Sequence, residues 1–172
     1  MKSVVLLPGF GGSADQPILT RLSSRLEPLG LTCLRRAPPR LKLTPELELY
    51  GEWLEGELAS VPGPLVVVGR SFGGRLAIRL AARRKLEGVV LLGFPIRPPG
   101  NMRPLDEAAL AALKCPSFIA QGTKDLLGPM KVLRRCAGAA EILPVVGAGH
   151  DFGSQESATL DAAAAWISAV LL

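Results

Sequence analysis

Short apolar runs alternate along the chain with longer stretches in which apolar residues recur every three or four positions. The runs Val4-Val5-Leu6-Leu7, Leu65-Val66-Val67-Val68 and Val89-Val90-Leu91-Leu92 are unbroken Val and Leu. Such runs suit strands covered on both faces, as in a parallel sheet. The pattern predicts strands over 3–7, 31–35, 65–69, 88–93, 117–121 and 141–145. Between them it predicts helices over 16–29, 45–60, 72–84, 105–113, 130–137 and 155–171. The helix over 72–84 carries Phe72, Leu76 and Leu80 on one face and Arg75, Arg79 and Arg83 on another. That basic stripe reads as a solvated face. Ser154 stands where it would cap the last helix. Strand and helix alternating throughout define an α/β fold: a three-layer α/β/α sandwich on a mainly parallel sheet of about six strands, with right-handed crossovers. No repeat interrupts the pattern, and 172 residues make a single domain, 1–172.

Composition removes several function classes. Apolar residues make up 48% and charged residues 20%, which excludes a disordered chain. No apolar run reaches the roughly 18 residues of a membrane helix, so no membrane role is expected. The start Met1-Lys2-Ser3 leads directly into a strand-like run and lacks the cleavage site of a signal peptide, which points to a cytoplasmic protein. The net charge is +5, but Lys and Arg are dispersed and there is one Tyr, so no nucleic-acid partner is expected. Cys33, Cys115 and Cys136 form neither a disulfide framework nor a CxxC motif, and Cys33 and Cys115 read as buried inert thiols. A single His argues against a multi-histidine metal site, and no metal or other cofactor is expected. A single Asn and few Gln hint at a heat-adapted source.

The sharpest local signal is Gly69-Arg70-Ser71-Phe72-Gly73. This G-x-S-x-G follows a strand and opens a helix, the context of a nucleophile elbow. In so tight a turn side chains at the flanking positions would clash, hence Gly69 and Gly73, while Gly74 lets the helix approach the sheet. The turn lifts the Ser71 hydroxyl above the sheet edge and leaves the Phe72 N–H unpaired at a helix start. A serine hydroxyl needs a base. The only candidate histidine is His150, in the Gly-rich loop after the sixth strand. The acid should lie between the two in chain order. Asp125 follows the fifth strand and so reaches the same edge. Asp106 sits on or before a helix, and Asp151 adjoins His150, where neighbouring side chains diverge. After the first strand, Pro8-Gly9-Phe10-Gly11-Gly12 lets backbone approach a substrate, with the Phe10 N–H as second oxyanion donor. Gly9 and Gly11 are candidate substrate contacts. The Pro-rich pieces Ala37-Pro38-Pro39-Arg40 and Pro95-Ile96-Arg97-Pro98-Pro99-Gly100 follow strands two and four, at the ligand-binding edge. The stretch 95–104 is the expected wall of a shallow pocket, with Arg97 as a candidate contact for an anionic substrate group.

Together these residues resemble the α/β-hydrolase family over nearly the whole chain. The details Gly-Arg-Ser-Phe-Gly-Gly-Arg, Gly-Phe-Pro-Ile-Arg-Pro-Pro-Gly, Gln-Gly-Thr-Lys-Asp and Ala-Gly-His-Asp-Phe look most like its small dienelactone-hydrolase-like branch. The resemblance implies a triad of Ser71, Asp125 and His150 and an esterase-like serine hydrolase acting on a small acyl substrate. Dienelactone hydrolases use a cysteine nucleophile; Ser71 stands there in this chain, so that substrate does not carry over. The chain begins at what would be the family's third strand and has no room for a cap domain, which implies an open site. Oligomeric state is not specified by any motif, and a homodimer is compatible with all of them.

Two other readings have a basis in the residues. Gly9-Phe10-Gly11-Gly12-Ser13-Ala14 fits the G-x-G-x-x-A of a dinucleotide-binding oxidoreductase, with Arg35 and Arg36 suited to an NADP 2′-phosphate. That reading leaves Ser71, Asp125 and His150 unexplained. A non-catalytic interaction module on the same fold is the other.

Overall fold

The computed structural model describes residues 1–39, 47–61 and 63–172. Its strands are β1 (Ser3–Leu7), β2 (Thr32–Arg35), β3 (Leu65–Arg70), β4 (Gly88–Leu92), β5 (Ser117–Gly122) and β6 (Glu141–Val145). Its α-helices are α1 (Pro17–Leu26), α2 (Leu47–Leu58), α3 (Phe72–Arg83), α4 (Pro104–Ala111), α5 (Met130–Cys136) and α6 (Glu156–Leu171). The strands form one sheet in the order β2-β1-β3-β4-β5-β6. Every neighbouring pair is parallel. All strand C-termini therefore point to one edge, where such sheets bind ligands.

Alternation along each strand divides the core in two. Val5, Leu7, Val67, Val89 and Leu91 face one side, against Leu54 and Leu58 of α2, Leu76 and Leu80 of α3 and Leu133 of α5. Val4, Leu6, Val66, Val68, Val90 and Leu92 face the other, against Leu19 and Leu22 of α1 and Leu160 and Ile167 of α6. Both faces of the central strands are covered, which is why these segments are apolar throughout rather than alternating. Among the described residues no helix is long and apolar enough to cross a membrane.

The departures from the sequence expectations are local. Helix α1 starts at Pro17 rather than Gln16, since Pro is preorganised for the first helical position. It stops at Leu26; a 3-10 turn over Glu27–Leu29 follows, because Pro28 has no N–H to continue the ladder, and Gly30 closes it at φ 78°. The expected start of α2 at Pro45, and Arg40, lie outside the described residues. Ser154 does not cap α6: it sits inside a 3-10 turn over Gly153–Gln155, and Gln155 precedes the helix. The Arg stripe of α3 is not a solvated face. Arg75 and Arg79 reach the carboxylate of Asp106 on α4, at 2.6 and 2.7 Å, with the Asp106 side chain only 1% exposed. Arg83 pairs with Glu55 of α2 at 3.2 Å. Cys33 and Cys115 are half-buried rather than fully buried, and burial pushes both thiols up, that of Cys33 to about 11. They stay protonated, hence unreactive, at neutral pH.

Candidate active site

Ser71 stands between β3 and α3 with φ 49° and ψ −114°, the only positive φ outside glycine among the described residues. Glycines make the turn feasible. A Cβ on Gly69 would overlap the backbone of Gly73 and Gly74, and one on Gly73 would overlap the carbonyls of Leu7 and Pro8. One on Gly74 would stand 2.9 Å from the ring of Phe94. The elbow thus forces α3 against both β1 and β4, and the Ser71 side chain, which caps nothing in its own helix, projects over the sheet edge.

Three side chains from three strand ends meet there. His150 Nε2 lies 2.9 Å from Ser71 Oγ, and His150 Nδ1 lies 2.8 Å from Asp125 Oδ2. The Asp125 side chain is fully buried and accepts two more hydrogen bonds, from Gln121 Nε2 to Oδ2 at 2.9 Å and from the Leu127 N–H to Oδ1 at 2.9 Å. Three donors fix the carboxylate in orientation. As an acceptor it assigns the proton of the neutral imidazole to Nδ1, leaving the Nε2 lone pair toward the serine hydroxyl.

Two of the supporting residues were missed in the sequence. Gln121, fully buried as the fifth residue of β5, bonds the N–H of Phe94 (2.8 Å), the carbonyl of Gly128 (2.9 Å) and Asp125. It joins the loops after β4 and β5 beneath the acid. Its signal is a polar residue directly after the apolar run Phe118-Ile119-Ala120, at the end of the strand. Gln16 accepts the Gly9 N–H at 3.0 Å and so pins the turn after β1. In the sequence pattern it stands as the first residue of a helix.

Asp151 turns away from His150 and pairs with Arg70 at 2.8 Å. Arg70 is itself 6% exposed, donates to the Leu92 carbonyl at 3.1 Å and lies over the Phe152 ring at 5.9 Å. Burial pulls the Arg70 guanidinium down from its usual range, against Asp151, which acts to raise it. The residue before the serine is thereby tied to the residue after the histidine.

The N–H groups of Phe10 and Phe72 have no hydrogen-bond partner among the described residues. Gly9 sits beside the serine, with room for a Cβ 3.7 Å from that of Ser71, while Gly11 adopts φ 68° in the open. The expected wall over 95–104 is turned to other uses. Arg97 is bonded to Glu107, which Arg97 holds below the usual carboxylate range, and Arg103 donates to the Pro95 carbonyl at 2.8 Å. The wall beside Phe10 and Phe72 is formed instead by Pro38, Pro39 and Tyr50. The dinucleotide reading finds its cations engaged: Arg35 pairs with Asp15 and Arg36 with Glu57. Its glycine turn does not open a helix, since α1 begins only at Pro17.

The alpha/beta hydrolase domain family matches residues 31–171, and the chain belongs to that family. Among solved structures, the monoacylglycerol lipase of Paleococcus ferrophilus superposes with a TM-score of 0.83 at 15% identity, covering 98% of this chain and 94% of the lipase. Est1E from Butyrivibrio proteoclasticus gives 0.77 at 12% identity over 98% and 88% of the two chains. The esterase domain of a Rhodothermus marinus protein gives 0.73 at 14% identity over 98% and 87%. At these identities the likeness is one of fold.

Proposed function

We propose that the protein is a serine hydrolase that cleaves esters, or related acyl bonds, of a small substrate through an acyl-enzyme. The observation that carries this is the unbroken chain Ser71 Oγ, His150 Nε2, His150 Nδ1, Asp125 Oδ2, at 2.9 and 2.8 Å across its two links. In acylation Ser71 Oγ bonds to the substrate carbonyl carbon while its proton passes to His150 Nε2. The carbonyl oxygen becomes an oxyanion held by the Phe10 and Phe72 N–H groups. The bond to the leaving alcohol then breaks, and His150 returns the proton to that alcohol. In deacylation water attacks the same carbon, gives its proton to Nε2, and the bond to Ser71 breaks as Oγ is reprotonated. Asp125 keeps the imidazole in the right tautomer and stabilises it when charged. The motifs around Ser71, after β4 and around His150 support a place in the small dienelactone-hydrolase-like branch, with serine as nucleophile.

A fluorophosphonate tests the reading. The hydroxyl of an activated serine displaces fluoride and leaves a stable phosphonyl ester. Mass mapping should place the adduct on the peptide containing Ser71, and Ser71→Ala should lose both adduct and ester hydrolysis with unchanged circular dichroism. An adduct on a different serine would overturn the assignment of Ser71, and inertness toward both probe and esters would overturn the reading in favour of a non-catalytic interaction module.

A further inference from the structure

Beside the serine lies a cavity of about 400 Å³ lined by Phe10, Gly11, Pro38, Pro39, Tyr50 and Phe72. These residues come from the loops after β1 and β2, from α2 and from the first position of α3. None comes from β4, β5, β6 or the loops that follow them. Sheet order gives this a chemical meaning. Ser71 follows β3; β1 and β2 lie to one side of it, β4, β5 and β6 to the other. His150 follows β6 and must reach the leaving-group oxygen with Nε2, so the alcohol of an ester lies toward β4–β6. The carbonyl oxygen is directed at the Phe10 and Phe72 N–H groups. The third substituent of the carbonyl carbon, the acyl chain, is left to the β1–β2 side, where the cavity is.

The walls describe the chain that fits. Phe10 meets Phe72 edge to face at 5.6 Å and 80°, and Phe72 meets Tyr50 in the same way at 5.5 Å and 79°. The two proline rings complete a lining of stiff, flat surfaces with no charged side chain among the described lining residues. A flat ring enters such a slot with less loss of rotational freedom than a flexible alkyl chain. Tyr50 adds a polar element. It is only 4% exposed, and its hydroxyl has no hydrogen-bond partner among the described residues. The hydroxyl is not sealed from solvent, so a substrate that displaces water from it without pairing with it leaves it unsatisfied and is disfavoured.

Resting on the hydrolase reading, we propose that this cavity is the acyl pocket, and that it selects neutral arylalkanoyl groups bearing a hydrogen-bonding atom at the far end of the ring, with Tyr50 as the residue that reads that atom.

The test uses ethyl esters, so that the alcohol is small and constant: 3-(4-hydroxyphenyl)propanoate, 3-(4-methylphenyl)propanoate and hexanoate. Hydroxyl and methyl match in size, and the two-carbon spacer keeps the ring from altering carbonyl reactivity. The wild-type protein should favour the hydroxyphenyl over the methylphenyl ester by about tenfold in kcat/KM, with hexanoate slowest. Tyr50→Phe should bring the two aryl esters to within about twofold of each other, with unchanged circular dichroism reporting an intact fold. A preference that survives in Tyr50→Phe, or hexanoate as the fastest substrate, would overturn the assignment and leave the hydrolase reading standing. Absence of turnover on all three esters, with no fluorophosphonate adduct, would overturn both.

Discussion

The two flanks of Ser71 are built from different materials. Toward β4–β6 the site is a hydrogen-bonded framework: Gln121 under Asp125, Asp125 on His150, and Arg70 joined to Asp151. Toward β1–β2 it is rings and glycines, with Gln16 accepting the Gly9 N–H to hold the turn beside the serine. A proton transfer loses rate when donor and acceptor shift by a fraction of an ångström, so its side of the site is fixed by directional bonds. An apolar group needs shape but not direction, and packing provides that. The contrast predicts that polar substitutions toward β4–β6 act on kcat, while ring deletions toward β1–β2 act on KM.

The largest effect should come from Asp125, the proposed acid of the triad. Asp125 accepts from His150 and Gln121 on one oxygen and from the Leu127 N–H on the other. An amide there would set its NH₂ against a donor in either orientation. Asp125→Asn should therefore lower kcat by about 10⁴-fold, whereas Asp151→Asn, whose side chain is 94% exposed, should lower it by less than about tenfold. Steady-state kinetics on one ester decides, and the opposite ranking would move the acid to Asp151.

Gln121→Leu should come next. It leaves the Phe94 N–H and the Gly128 carbonyl without their side-chain partner in a fully buried setting, a cost of about 1–3 kcal/mol per group. Denaturant unfolding should show that loss, and kcat should fall with KM little changed, since the acid loses a donor that orients it. A normal kcat in a destabilised protein would confine Gln121 to a structural role.

Phe10→Ala should have the smallest effect and the opposite signature. The ring is 77% exposed and its N–H, the proposed oxyanion donor, is retained. Loss of its edge contact with Phe72 should raise KM several-fold, up to about 1.5 kcal/mol, with kcat held. A fall in kcat with unchanged KM would place Phe10 in the positioning of the oxyanion turn instead.

What the sequence made legible follows the same division. Each of Ser71, Asp125 and His150 comes shortly after an apolar run, and a parallel sheet carries the ends of such runs to one edge. Gln121 and Gln16 were hidden because a polar residue at the boundary of an element looks like the boundary itself. The Asp106 ion pairs were hidden for a related reason: an i, i+4 spacing says that Arg75 and Arg79 share a face, not what the face meets. The pocket wall was misplaced to 95–104 because the choice between two Pro-rich loops depends on which strands flank β3. Sheet order sets that, with β2 beyond β1 on the side where Phe10 lies.

The backbone of Ser71 carries one more consequence. At φ 49° and ψ −114° an L-residue sits in a sparsely populated conformation, a strain of about 1–3 kcal/mol. Glycine tolerates it without a Cβ penalty, at an entropic cost of about 0.5–1 kcal/mol. Ser71→Gly should therefore melt higher than the wild-type protein, by a few degrees at about 2–4 °C per kcal/mol. Thermal unfolding monitored by circular dichroism would show it. If so, evolution has kept the less heat-resistant of two available residues at this position, and a search for thermostable variants that ignored turnover would erase the proposed nucleophile first.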